Sequence, residues 1–482
     1  MNYEAQIAEL TMQNAQLKRE LDQLRKLIFG AKKERFVTEN VTPGQLSLFE
    51  DLSVGQGPVE EQTKEIISYE RKKPSKKHEG RNEIPDHLPV IEVIIEPDQD
   101  VTGMKKIGEE ITETLEYTAA SLVKKRIIRP KYALPQNEGI IIGKLPSRPI
   151  EKGIAEASLL SHLIVSKFID HLPFYRQIQI FKREFDWNVS ASTINDWFVA
   201  CCTLIEPLYE ELKRQVLSSG YLQVDESPIK VLDSDKPGST HQGYQWVYHS
   251  PERRLVLFDY RKGRGMHGPK EVLENYNGWL QCDGYGVYDK IATLEGIQIA
   301  GCLAHARRYY HEALSNDKKR AEYALVIFQN IYEIERANKS MNPLDRKLDR
   351  LAKVKPHLDN LKSWVEEECV KVLPKSAIGK AMSYTQSQWH KLYNLLEDGR
   401  LEIDNNLIEN KIRPLALGRK NYLFAGSHDG AKRIAMIYSF MGTCKANDVN
   451  PNEWLKNVLE KIPDTKMSEL SNLLPIGKVQ QV

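Results

Sequence analysis

Apolar residues recur along the first 30 residues in alternating steps of four and three. The positions are Tyr3, Ile7, Leu10, Asn14, Leu17, Leu21, Leu24 and Ile28. Such a repeat predicts a coiled coil over residues 1–40, and the polar Asn14 at a core position favours two strands in a single register. We therefore expect a homodimer. The alternative is one amphipathic helix that packs against the same chain.

Two shorter segments follow the predicted coiled coil. Residues 41–85 are polar and contain a basic run from Arg71 to Lys77. This composition is typical of a solvated linker, although it could also contact phosphate groups. Residues 86–136 contain short extended runs such as Val90–Ile95, which predict a small β-rich module. The module has no cysteine, so a zinc site with sulfur ligands is excluded there.

A helical pattern predominates from residue 137 to residue 218. One predicted helix covers Leu172–Arg183, the pattern breaks at Asp186–Asn188, and a second helix starts at Ser190 among small hydroxyl residues. A helix, a short turn and a second helix fit a DNA-binding helix-turn-helix, although any two packed helices share this pattern. The side chains that we predict to contact DNA here are Arg176, Lys182, Arg183, Ser192 and Thr193.

The period of the pattern changes to that of β-strands at Gly220. Five strands are predicted, with a helical piece between the third and the fourth, at 221–232, 243–249, 254–260, 278–284 and 297–303. Three antiparallel strands followed by a helical crossover to parallel strands is the order of a ribonuclease H-like sheet, here over residues 219–306. In that sheet Asp225, on the first strand, and Asp283, at the end of the fourth, would lie side by side.

A helical insertion is predicted over residues 307–399, because the chain that follows the fifth strand is far longer than one crossover needs. The core then resumes at 400–434 with a helix that carries Glu409, and residues 435–482 form a helical tail. Side chains of Asp404–Asn406 are expected to cap this helix, and Pro414 is expected to end it. A solvated ion pair with Arg413, four residues later, is the alternative role for Glu409.

The composition excludes several classes of protein. The chain has 482 residues, a formal net charge of +2 and 28% charged residues, so any binding of nucleic acid must come from local basic patches. The six cysteines show no paired framework, which favours reduced thiols in the cytosol. No apolar run is long enough for a membrane span and the N-terminus has no signal core. We expect a cytoplasmic, nucleoid-associated protein with no membrane partner.

Three carboxylates brought together by such a fold would suit a particular chemistry. Two Mg²⁺ ions about 4 Å apart can activate the attacking oxygen and stabilise the leaving oxygen in phosphodiester chemistry. Mg²⁺ prefers oxygen ligands, and a cation relieves the repulsion between clustered carboxylates. We predict that Asp225, Asp283 and Glu409 bind two Mg²⁺ ions, for which Mn²⁺ can substitute. Zinc is not expected.

Several blocks, in one order along nearly the whole chain, resemble the DDE transposases of the insertion sequence 66 family. They are the zipper that ends at Phe29-Gly30, the Leu172–Gln177 block, Val224-Asp-Glu226, Cys282-Asp-Gly-Tyr285, Cys302–Arg308, Asp404–Pro414 and Phe440–Pro451. On this resemblance Asp225, Asp283 and Glu409 match the catalytic triad. Cys302 and His305 match a C-x-x-H signature of several DDE families. The paired cysteines that family members often carry in a small zinc module are absent here.

The resemblance implies a multidomain α/β transposase that binds terminal inverted repeats, cleaves strands and transfers them to target DNA. Accessory proteins of the same element are possible partners. His305 and Arg413 are candidate supports of the active site, and Arg307 and Arg308 are candidate phosphate contacts. A candidate DNA-facing basic rim comprises Arg413, Arg419, Lys420, Lys432 and Arg433. Glu226 points to the opposite sheet face by alternation. The alternatives are an inactive DNA-binding regulator derived from a transposase and a metal-dependent nuclease without strand transfer.

Overall fold

The structure, a computed structural model, describes most of the C-terminal three quarters of the chain. It covers Leu122, residues 131–133, 140–142, 147–151, 153–232 and 238–476. All of them belong to the second of the two units into which the chain divides, Ala119–Val482. The predicted coiled coil, the linker and most of the β-rich module lie outside the described residues.

The first described element is a two-stranded antiparallel sheet. Strand β1, Lys131–Ala133, pairs with β2, Ile140–Ile142, with Lys131 opposite Ile142. The hydrogen-bonded partner of β1 thus lies beyond residue 136, where the border between the β-rich module and the helical domain is predicted, and the border itself stays a prediction.

Three helices follow: α1, Ala157–Phe168; α2, Phe174–Phe185; and α3, Ala191–Leu217. Helix α2 ends at Asp186, which adopts a left-handed conformation with φ 48°. Helix α3 begins after Ser190, whose hydroxyl accepts the N–H of Thr193 at 3.0 Å. This hydrogen bond satisfies one of the free donors at a helix start. The predicted break and second helix start are both confirmed.

A five-stranded mixed sheet forms the centre of the next region. Its elements are β3, Tyr221–Leu232; β4, Thr240–Ser250; β5, Leu255–Arg261; α4, His267–Leu273; β6, Gly278–Gln281; α5, Gly286–Ile291; and β7, Ile297–Ala300. The strand order is β5-β4-β3-β6-β7. Strands β3, β4 and β5 pair antiparallel, whereas β3, β6 and β7 are parallel. The predicted bounds of β3 agree with the structure residue for residue.

Gly278 permits the close approach of β6 to β3. Its φ is +145°, and a Cβ atom there would lie 2.4 Å from the carbonyl oxygen of Gly220. We expect Gly278→Ala to destabilise the fold by about 1–3 kcal/mol, because the side chain meets backbone in a conformation that favours glycine. Urea unfolding measures the effect. Gly286→Ala is the control, because a Cβ there meets nothing within 4 Å, and equal effects of both changes would contradict the expectation.

A second group of helices packs around its own hydrophobic cluster, which runs from Leu303 to Ile403. The helices are α6, Leu303–Glu312; α7, Lys318–Ala337; α8, Pro343–Asp349; α9, Lys355–Glu368; and α10, Ala377–Tyr393. A single π-helical turn, Arg350–Val354, joins α8 to α9. The chain is thus helical where the insertion is predicted.

The last three helices are α11, Asn406–Tyr422; α12, His428–Ala446; and α13, Pro451–Lys461. Pro414 lies inside α11, so the prediction that it ends the helix is wrong. Ile408 and Leu415, on either side of it, are both buried in the core, and this packing maintains the helix through the proline. No helix within the described residues is long and apolar enough to cross a lipid bilayer.

Helix α12 protects an edge of the sheet. The N–H groups of Val256 and Phe258 on the edge strand β5 donate to the hydroxyls of Thr443 (3.1 Å) and Ser439 (2.7 Å) on α12. Unpaired N–H groups on an edge strand otherwise favour association with other chains. The two hydroxyls therefore fix α12 on the sheet and close this edge.

Candidate active site

Asp225 lies near the centre of β3, opposite Val247 of β4. Its Oδ1 accepts the N–H of Glu226 at 2.8 Å. Burial, together with the negative charges of Glu226, Asp283 and Glu409, raises the pKa of the Asp225 carboxyl to about 8. The two acids that the sequence links to Asp225 therefore lie close enough in the fold to repel it.

Asp283 lies in the turn between β6 and α5. Strand β6 ends at Gln281, so the predicted strand that reaches Asp283 and Gly284 is two to three residues too long. Oδ1 of Asp283 accepts the N–H of Tyr285 at 2.9 Å, which fixes the carboxylate in the turn. The backbone at Gly284 packs closely against the ring of Tyr384 from α10, because a Cβ there would lie 2.7 Å from that ring.

Glu409 lies in the first turn of α11. Among the described residues it is Arg308 of α6, and not the predicted Arg413, that pairs with it, and Nη2 of Arg308 lies 3.9 Å from Oε1 of Glu409. Both side chains are partly exposed, so the pair contributes little to stability. Arg308 therefore neutralises part of the charge of Glu409, while Arg413 is exposed to solvent.

The segment before α11 agrees in part with the predicted cap, because Asp404 accepts the N–H of the first helical residue but Asn405 does not cap. The side chain of Asn405, the residue before the helix, makes no capping hydrogen bond. Instead, its Nδ2 donates to the carbonyl of Val224, beside Asp225, at 3.1 Å. Asp404 accepts the N–H of Asn406 at 3.0 Å and the hydroxyl of Tyr332 at 3.0 Å. Asn405 thus joins α11 directly to β3, a role that a capping motif does not reveal.

Cys302 and His305 lie at the start of α6. The Cys302 sulfur accepts the N–H of Asn405 at 3.2 Å, and burial raises the pKa of its thiol to about 12. Burial lowers the pKa of His305, and the charge of Arg308 lowers it further, whereas Asp283, Glu409 and Asp404 act in the opposite direction. The imidazole therefore lies within the field of the acids. Its buried Nδ1 has no hydrogen-bond partner among the described residues.

Glu226 has partners of its own on the other side of the strand. Its side chain is 2% exposed and accepts hydrogen bonds from Nε of Arg264 and from the hydroxyl of Tyr288, both at 2.7 Å. The Arg264 guanidinium also lies over the ring of Tyr285, 3.9 Å from its centroid. These contacts engage both oxygens of the Glu226 carboxylate, and its omission from the metal ligands stays a prediction.

The candidate DNA contacts differ in their surroundings. Arg176, Lys182 and Ser192 are exposed on α2 and α3, Arg183 pairs with Glu184, and Thr193 takes part in the cap of α3. On α11, Lys420 is exposed, but Arg419 donates to the hydroxyl of Ser227 (2.9 Å) and to the carbonyl of Pro228. Arg307 is half-buried on α6. Arg419 thus anchors α11 to β3, whereas the exposed residues are available to a ligand.

The acids interact electrostatically, but they do not form a complete metal site. Within the described part of the chain, no three side chains of aspartate, glutamate, histidine or cysteine are grouped so that they could hold a metal ion. The chemistry of the donor set nevertheless suits a hard divalent cation, because it consists of carboxylate oxygens that repel one another.

Comparison with known sequences identifies the family. A family profile described as "Transposase IS66 family" matches residues 152–433, which include all three acids. The chain belongs to the IS66 family of transposases. A second profile, "IS66 C-terminal element", matches residues 439–476 of this IS66 protein, and a third, "Transposase C of IS166 homeodomain", matches residues 16–93. The third description names a homeodomain, so the coiled coil predicted in that region stays a prediction.

The IS66 protein also resembles three proteins of Sinorhizobium fredii along most of its length. It is 30% identical to uncharacterized protein y4jD, and the match covers 97% of this chain and 96% of that protein. It is likewise 30% identical to uncharacterized proteins y4qI and y4hP, with 89% and 86% of this chain and 82% and 78% of those proteins covered.

Proposed function

We propose that this IS66 protein is the transposase that cleaves DNA at the ends of its own insertion sequence and joins the freed ends to target DNA. Asp225, Asp283 and Glu409 are its catalytic acids. The observation that carries the proposal is the raised pKa of Asp225, to which both other acids contribute. Asn405, directly before the helix of Glu409, also bonds to the carbonyl of Val224 beside Asp225. Both observations support a shared carboxylate site of the kind that phosphodiester chemistry requires.

The strand order supports a ribonuclease H-like core. An antiparallel β5-β4-β3 set continues into parallel β6 and β7, with Asp225 on the central strand and Asp283 just beyond the neighbouring one. Helix α11 follows the helical insertion and carries Glu409, whose charge acts on Asp225. Family membership of residues 152–433 gives independent support for transposition as the role of this core.

Asp225, Asp283 and Glu409 would hold the metal ions, two Mg²⁺ or Mn²⁺. When bound, these ions supply Lewis-acid stabilisation of the attacking and leaving oxygens of a phosphodiester. The protein orients the acids through the N–H groups of Glu226 and Tyr285. Arg308 and His305, next to Glu409 and Asp283, are suited to orient a DNA phosphate.

The exposed groups on α2 and α3, in the helix-turn-helix arrangement, would bind the terminal inverted repeats of double-stranded DNA, and Lys420 and Arg413 would follow the backbone near the site. A homodimer would hold two ends together. Accessory proteins of the same element would be further partners, and such a complex would be associated with the nucleoid.

The decisive experiment measures nicking of a labelled duplex that carries the terminal repeat of the element, with Mn²⁺ present. It compares the wild type with Asp283→Ala and Glu409→Ala. We expect cleavage at the repeat boundary by the wild type only, because each change removes one ligand of a shared site. Binding measured in EDTA should stay within about twofold for both variants, because neither residue is a phosphate contact. Glu453→Gln, an exposed change on α13, is the control.

The same substrates separate the alternatives. Specific binding with no cleavage by the wild type would identify a regulator. Cleavage without joining of a preformed 3′-OH end to a target plasmid would identify a nuclease. Cleavage by Glu409→Ala at the wild-type rate would refute the assignment of the third acid.

A further inference from the structure

Each of the two aspartates is preceded, two residues earlier in the sequence, by a buried glutamine. The sequences are Gln223-Val-Asp225 on β3 and Gln281-Cys-Asp283, which starts at the last residue of β6. In the parallel pairing of these strands, Gln223 is the register partner of Gln281, and both glutamines are completely buried. Alternation along β3 places Gln223 on the same sheet face as Asp225. The two Gln-x-Asp motifs therefore start side by side on neighbouring strands.

The two amides bind each other. Nε2 of Gln223 donates to Oε1 of Gln281 at 3.0 Å, and the hydroxyl of the buried Tyr221 donates to the same oxygen at 2.5 Å. In a site of low polarity, each such bond is strong and its loss leaves an expensive unpaired group. Aliphatic side chains would fill this space at lower cost, so the polar pair needs a further explanation.

That explanation lies in the chain segment that the pair holds. Nε2 of Gln281 donates to the carbonyl of Glu402 at 2.6 Å, and Nε2 of Gln223 donates to the carbonyl of Asp404 at 3.1 Å. The N–H of Glu402 donates in turn to the hydroxyl of Tyr221 at 3.1 Å. Residues 402–404 are thus fastened to β3, which carries Asp225, and to β6, which leads into Asp283, immediately before α11 and Glu409.

We propose that Gln223, Gln281 and Tyr221, which we name the amide latch, position Glu409 relative to Asp225 and Asp283. The inference rests on the proposed function for its link to catalysis. Hydrogen bonds to the carbonyls of Glu402 and Asp404 fix the position of this segment against β3 and β6, since a shift by one residue would break both. The latch fixes where α11 starts, and Glu409 follows in its first turn. None of the three residues touches the substrate, so they are positioning residues.

The test compares Gln281→Met and Gln223→Met with Gln245→Met. Methionine has a similar length without the amide. Gln245 is an equally buried glutamine of the same sheet, on β4, and its Nε2 donates to the carbonyl of Ala431 at 3.0 Å. It thus fastens α12 and not the segment before Glu409. Tyr221→Phe, which removes a single hydroxyl, is a milder variant if a glutamine change prevents folding.

Two readouts are needed. In single-turnover cleavage we expect the latch variants to need about tenfold more Mn²⁺ for half-maximal rate and to react about 100-fold more slowly, with DNA binding in EDTA unchanged. In hydrogen–deuterium exchange without metal, we expect amides of residues 402–412 to exchange at least tenfold faster in the latch variants. Gln245→Met should change neither the Mn²⁺ requirement nor exchange in this segment, although it lowers the melting temperature.

The outcomes separate the latch from the proposed function. If residues 402–412 exchange faster in the latch variants but the wild type does not cleave DNA, the latch is supported and the transposase function is refuted. A wild type that cleaves, with latch variants that keep its Mn²⁺ requirement and its exchange pattern, would overturn the latch alone. Equal changes in Gln245→Met and in the latch variants would also overturn it, because they would show a general loss of stability.

Discussion

Asp225→Asn is expected to abolish DNA cleavage and, at the same time, to stabilise the metal-free fold. Cleavage should fall by about 10³-fold or more, because a proposed metal ligand loses its charge. Stability should rise because the Asp225 carboxylate is buried and close to the charges of Glu226, Asp283 and Glu409. The amide removes this desolvated charge, and its oxygen can still accept the N–H of Glu226.

The stabilisation should depend on pH in a defined direction. The pKa of Asp225 is about 8 in the metal-free fold, whereas an unfolded aspartate has a pKa of about 3.9. Below pH 4 both states are protonated, and the carboxyl imposes no penalty. Between pH 4 and pH 8 the folded state retains a proton that the unfolded state has lost, so wild-type stability falls as the pH rises. Above pH 8 the penalty is complete, at several kcal/mol.

Urea unfolding in EDTA at pH 5, 7 and 9 measures this difference. We expect the free energy of unfolding of Asp225→Asn to exceed that of the wild type by an amount that grows with pH over this range. Asp448→Asn is the matched control, since Asp448 is exposed and its left-handed φ of 55° suits asparagine. Added Mn²⁺ should stabilise the wild type more than Asp225→Asn. A pH-independent difference, or a less stable variant, would contradict the electrostatic account.

Local signals explain which parts of the fold could be predicted. The bounds of β3 follow from alternation, and the break between α2 and α3 follows from Asp186 and from the capping hydroxyl of Ser190. Each of these depends on neighbours within a few residues. The bounds of α11 could not be predicted in the same way, because buried contacts on both sides of Pro414 outweigh the local effect of the proline.

The environment of the site depends on contacts between distant residues, and sequence spacing does not contain them. The motif around Glu409 suggests a helical ion pair with Arg413, but Arg308 approaches from α6. Asn405 is a residue type that commonly caps helix N-termini, and yet its side chain bonds to Val224, 181 residues away. The repeated Gln-x-Asp pattern was visible in the sequence. Its meaning appears only when the parallel pairing of β3 with β6 brings the two glutamines together.

The contacts of Arg350 could not be predicted from the sequence either, and replacing this residue should strongly lower stability. The helices of the insertion are rich in charge, and an arginine among them is usually solvated. Arg350 is instead completely buried. It pairs with Glu335 through Nε (2.6 Å) and Nη2 (2.8 Å) and donates to the carbonyls of Leu395, Asp398 and Leu401. One side chain thus joins α7 to the segment that leads into α11.

We expect Arg350→Met to destabilise the protein by about 3–5 kcal/mol, because it leaves Glu335 in the interior without its main partner and three carbonyls without a donor. Arg346, 2.9 Å from Glu335, can compensate only in part. The free energy of unfolding in urea, followed by tryptophan fluorescence, measures the loss. Arg320→Met is the matched control in the same insertion, since Arg320 also pairs with two acids, Asp317 and Glu368, but does so in contact with solvent.

The control should unfold at nearly the same urea concentration as the wild type, because solvent screens its ion pairs. In Arg350→Met, the loss of the bond to Leu401 should also release the segment before Glu409, so cleavage should fall further than the fraction of folded protein predicts. Equal midpoints for Arg350→Met and Arg320→Met would show that the buried pair does not stabilise the insertion. An unstable variant with wild-type cleavage per folded molecule would show instead that Arg350 supports the fold alone, and that the amide latch is sufficient to position α11.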